Sequence, residues 1–100
     1  MARSSVEAPD DAGGRVRLLR GRFEAQFDDV EAARAAARDA RAVGFVIDVQ
    51  EGEIGWLAVG RRQQPFPGDE RDRYASRFNA IARQRGGSFT RFVEEPADAL

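Results

Sequence analysis

The apolar period of this chain switches from two to three-and-a-half and back, twice over, and that alternation limits its folding more than any single motif. "RVRLLRGRFEAQF" alternates, with Phe23, Ala25 and Phe27 on one side and Arg22, Glu24 and Gln26 on the other. Such a period of two marks a strand with one buried face. "DDVEAARAAARDARAVG" then places Val30, Ala33, Ala37, Ala40 and Val43 at helical spacing, with Arg34, Arg38 and Arg41 on more exposed faces. Asp28 is the expected cap, with Glu31 in capping-box position, and Gly44 the expected left-handed stop.

"FVIDVQ" reads as the next strand and "EGEIG" as a hairpin loop. In "WLAVGRRQ", Trp56 and Ala58 face one way and Leu57 and Val59 the other. A strand apolar on both faces is either central or an edge that meets a partner. "PFPGD" is a loop whose Asp69 is the expected cap of a second helix, and Tyr74, Phe78, Ile81 and Ala82 form that helix's core stripe. Gly86 and Gly87 end it, one of them in the αL conformation. "SFTRFVE" closes the pattern, with Phe89 and Val93 expected on one face and Phe92 on the other.

The order strand, helix, strand, strand, helix, strand, joined by right-handed crossovers, predicts a ferredoxin-like α/β (α+β) sandwich. Its sheet has four antiparallel strands, with two helices on one face. One domain is expected over residues 15–95, after a disordered arm at 1–14 and before a flexible acidic tail at 96–100.

Composition removes several functions. The chain has no cysteine and no histidine, which excludes disulfides, thiolate chemistry, the usual zinc sites and histidine-based triads. No signal peptide and no membrane-spanning run is readable. The formal charge of -1 hides a basic body. With the acidic termini set aside, fifteen arginines face eleven acids, and every basic residue is arginine. Genome composition accounts for that usage, and so does a carboxylate or phosphate partner suited to planar guanidinium groups.

The face of such a sheet that lacks helices is where the fold usually binds. A Trp56–Phe92 patch there marks a protein interface, although core packing is the more frequent fate of a lone tryptophan. Phe23 and Phe27 suit core packing better than base stacking, which weakens an RNA-recognition reading. The helix arginines read as solvated surface before they read as a groove for an acidic segment or RNA. "RQRGG" reads as a helix end. Asp48, Glu51 and Glu53 lack calcium-loop spacing, and Asp48 is the acid expected to be partly buried.

On "RFEAQF", "AARAAARDARAVGFVIDV", Trp56 at the opening of the third strand and "IARQRGGSFTRF", the chain resembles the RraB family, the type B regulators of ribonuclease E activity. The similarity runs from about Phe23 to Glu94. Ser88 to Phe92 keep the family's aromatics and lose its acid and glycine. The resemblance implies a ferredoxin-like, non-catalytic, cytoplasmic protein without cofactor, monomeric or homodimeric, that binds ribonuclease E and damps RNA processing. The residues expected to meet the partner are Trp56, Arg61, Arg62, Arg91 and Phe92. Three alternatives stand beside it: a peptidoglycan-binding sporulation-related repeat, an ACT-like small-ligand domain and an RNA-recognition module. An ACT-like loop wants a glycine that "FDDVEA" lacks.

Overall fold

The structure is a computed structural model that describes residues 17–96. The arm expected at 1–14 and all of the expected tail except Pro96 lie outside the described residues. The elements run β1 (Leu18–Phe27), α1 (Val30–Ala42), β2 (Phe45–Glu51), β3 (Trp56–Arg62), β4 (Phe66–Pro67), a 3-10 turn (Gly68–Glu70), α2 (Arg71–Gln84) and β5 (Ser88–Glu95). Four long strands pair antiparallel in the order β5-β1-β3-β2, the ferredoxin-like arrangement expected from the sequence. A fifth, two-residue strand was not expected: β4 pairs with Leu18 and Leu19 at the start of β1. No helix among the described residues is long and apolar enough to cross a membrane.

Each helix turns its apolar stripe to the sheet, although α1 buries only the alanines of the stripe expected for it. From α1, Ala33, Ala36, Ala37 and Ala40 are buried, so the helix backbone lies close to the sheet. Its cap is Asp29, not Asp28: Asp29 is extended and its carboxylate accepts the Ala32 N–H at 3.0 Å. Glu31 therefore stands one place too early for a capping box and pairs with Arg34. Val43 is the exposed C-cap residue, not part of the inner stripe. From α2, Phe78 and Ala82 are buried, with Tyr74 and Ile81 packed beside them. Asp69 lies inside the 3-10 turn and does not cap α2, whose N-cap Glu70 makes no side-chain capping bond.

Gly86 and Gly87 have separate roles. Gly86 takes φ 82°, the left-handed stop. Gly87 lies against the Phe27 ring, where a Cβ would come within 2.3 Å of Cε2.

The core is a cluster of phenylalanines on the alanine floor of α1. Phe23, with no exposed surface, lies 4.8 Å from Phe92, 5.7 Å from Phe45, 5.8 Å from Phe78 and 6.1 Å from Phe66, ring centre to ring centre. Phe92 is thus on the helix-covered side, opposite to the sequence expectation. The cause is a β-bulge. Glu24 pairs with Arg91 and the next residue, Ala25, pairs with Phe89. Thr90 is left over, its hydroxyl donating to the Glu24 carbonyl at 3.0 Å. One extra residue resets the alternation, so Phe89 and Phe92 both point inward.

Candidate functional site

Strand register decides which side chains reach the uncovered face. On β1 these are Arg22, Glu24 and Gln26. Arg22 stands between Arg61 and Val93, Glu24 between Val59 and Arg91, and Gln26 between Leu57 and Ser88. β2 adds Val46 beside Arg61, Asp48 beside Val59 and Gln50 beside Leu57. Directly opposite residues share a face, so the charged positions of three strands meet in one row.

That row is a ladder of five ionised groups. Arg91 Nε donates to Glu24 Oε1 at 2.9 Å and Arg22 Nε to Glu24 Oε2 at 2.6 Å. Arg22 Nη1 reaches Glu95 Oε2 at 3.1 Å. Arg61 completes the row with two bonds to Glu95, both 3.1 Å. Glu24 is only 5% exposed, and the guanidinium groups on either side supply the donors that make its burial tolerable. Around the ladder Val46 is 59% exposed, while Leu57 and Val93 are half-buried. Toward the hairpin the face dips into a hollow of about 430 Å³ between Gln26, Ile54, Trp56, Leu57, Thr90 and Arg91.

The five residues singled out by sequence are divided by this geometry. Arg61 and Arg91 lie on the open face, linked through Glu24, Arg22 and Glu95. Trp56 pairs with Phe27 and Glu51, packs half-buried against the core and also lines the hollow. Arg62 pairs with Phe45 on the helix-covered side. Its guanidinium lies 4.6 Å from the Tyr74 ring centre and 5.0 Å from that of Phe45, and donates to the Val43 carbonyl at 2.9 Å. That is a clamp between sheet and helices. Phe92 is interior and is not part of the face.

The acid expected to be partly buried, Asp48, is exposed on edge strand β2, and Glu24 on central strand β1 is buried instead. Glu24, Arg22 and Glu95 were not singled out from the sequence. A signal existed, because opposite charges two apart on a strand share one face, as Arg22 and Glu24 do.

No family model matches the chain, and no curated protein or solved structure matches it.

The ladder gives the fold an acid-sensitive seam. Burial pushes the Glu24 carboxyl up, but hydrogen bonds from Arg91 and Arg22, with the charges behind them, outweigh that and leave it below its ordinary 4.5. The Arg61 bonds hold Glu95 below the same value. A carboxylate depressed in the folded state stabilises above its unfolded value and loses that contribution as pH falls through the folded one. The urea midpoint is therefore expected to fall as pH drops below about 4.5. Glu24→Gln is expected to flatten that fall. An identical acid profile in the variant would show that Glu24 contributes nothing to it.

Proposed function

We propose that this protein is a non-catalytic cytoplasmic regulator that docks a protein partner on the open face of its sheet. The partner we propose is ribonuclease E, as in the RraB family that the stretch from Phe23 to Glu94 resembles. The observation that carries the docking reading is the ladder: Arg61 and Arg91 are held by Glu95 and Glu24 beside the apolar surface of Val46, Leu57 and Val93. Side chains already fixed lose less freedom on binding, and apolar contact bounded by ordered charge is how protein interfaces are built. Docking here needs no bond made or broken.

The test is direct binding of purified ribonuclease E to the immobilised full chain, with its RNA cleavage rate followed in parallel. Val46→Asp places a carboxylate on an exposed apolar position without touching the core. It is expected to weaken binding by about tenfold or more, ~1.4 kcal/mol. Arg73→Ala, on an exposed position of α2, is the control and is expected to change nothing. Equal affinity for the native chain and Val46→Asp would remove the open face from the reading. No affinity and no change in cleavage rate would remove ribonuclease E.

A further inference from the structure

The two edges of the sheet differ. At one, β5 is bent by the Thr90 bulge, a device that discourages another strand from pairing. At the other, β2 runs seven residues in unbroken register with β3, its sole partner strand among the described residues. The hydrogen-bond phase of β2 follows from the hairpin, where the Gly52 N–H donates to the Gly55 carbonyl at 2.9 Å. Alternation from that pair turns the backbone groups of Val46, Asp48 and Gln50 toward β3. Those of Phe45, Ile47, Val49 and Glu51 point outward. Arg41 fits this phase, its Nη2 donating to the Ile47 carbonyl at 3.1 Å.

Above this edge runs a row of guanidinium groups. Arg34, Arg38 and Arg41 of α1 line a hollow of about 370 Å³ with Ala37 and Val49. All three arginines are exposed, and Arg38 has no ion pair among the described residues. From Arg34 to Arg41 the helix rises ~10 Å, enough to face two side chains ~6.8 Å apart on one side of a strand.

We propose that the β2 edge accepts an extended segment of another protein with acidic residues at every second position. The backbone pairs with the outward groups of β2 while the carboxylates rise into the arginine row. The intervening side chains fall on the open-face side beside Val46, where apolar residues fit best. The same row argues against a second copy of this chain as occupant. Two β2 strands joined about a two-fold axis would bring two arginine rows together, and like charges opposed across a strand pair repel. A neutral strand gains nothing from the arginines, so the row selects for acid. This surface adjoins the ladder at Val46, beside Arg61, but its test uses no ribonuclease E and turns on Arg38 and the β2 amides.

The probe is a synthetic peptide of the length of β2, about seven residues, alternating glutamate and valine, titrated into the isotope-labelled full chain. The expected result is saturable change and slowed hydrogen exchange at the amides of Ile47, Val49 and Glu51. Arg38→Glu is expected to weaken binding about tenfold or more, and so is a glutamine-for-glutamate peptide. Strand pairing has its own signature. Of two peptides N-methylated at the glutamates or at the valines, one loses binding and the other keeps it, the glutamate version being the loser in an antiparallel addition. Several outcomes overturn the proposal: no binding, binding indifferent to Arg38→Glu, or both methylated peptides binding alike. So do a concentration-dependent dimer that protects the β2 amides, and displacement of the peptide by single-stranded RNA.

Discussion

Truncating Phe23 to alanine is expected to lower stability by about 3–5 kcal/mol, a large part of the 5–15 kcal/mol typical of a domain. Phe23 is fully buried on the central strand and touches rings from β2, β4, α2 and β5. No single element can relax to fill the space, because four of them lean on the same ring. The measurement is a chemical denaturation midpoint followed by circular dichroism. Phe89→Ala, at a half-buried ring on β5, is the comparison and is expected to cost less. A loss for Phe23→Ala no larger than that of Phe89→Ala would mean the phenylalanine cluster is not the organising centre.

The second large effect is expected from Glu24→Lys. The native carboxylate accepts from two arginines in a position with almost no contact with water. A lysine there removes both bonds and sets a fourth cation beside Arg22, Arg91 and Arg61. Breaking a fully buried pair costs about 3–5 kcal/mol, but the Arg22 and Arg91 side chains remain 30% and 64% exposed. Water screens part of the repulsion, which reduces the expectation to about 2–3 kcal/mol. Glu24→Gln keeps the shape and removes only the charge, so it is expected to fall between native and lysine. If the lysine variant is as stable as the native chain, the ladder does not hold the strands together. Partner binding of Glu24→Gln, measured alongside, separates loss of fold from loss of the ordered arginines.

Local chemistry made most of the architecture readable. The alanine face of α1, the Tyr74–Ala82 stripe of α2 and the glycine stop at Gly86 each follow from neighbours within one or two helical turns. From these the element order, and with it the fold, could be written down. What escaped depends on distant parts of the chain. Period-two counting sent Phe92 outward because a bulge at Thr90 exists only against β1. Two adjacent aspartates are equivalent caps on paper, and Asp29 is the one whose carboxylate takes the Ala32 N–H. Asp69 lost its role because the chain winds through a 3-10 turn before α2 begins.

The site was less legible for the same reason. Whether Asp48 or Glu24 is buried depends on strand order, which puts β1 in the middle and β2 at the rim. Arg61 and Arg62 are neighbours in sequence and lie on opposite faces of the sheet. One joins the ladder while the other closes over Phe45 and Tyr74.

The chain's lone tryptophan and lone tyrosine sit at opposite ends of β1: Trp56 opposite Phe27, and Tyr74 against Phe66 near Leu19. Nature has thus placed one optical reporter at each pole of the molecule. Melting curves recorded from indole emission and from phenol absorbance superimpose when the domain comes apart in a single step. Curves that separate tell an observer which pole lets go first.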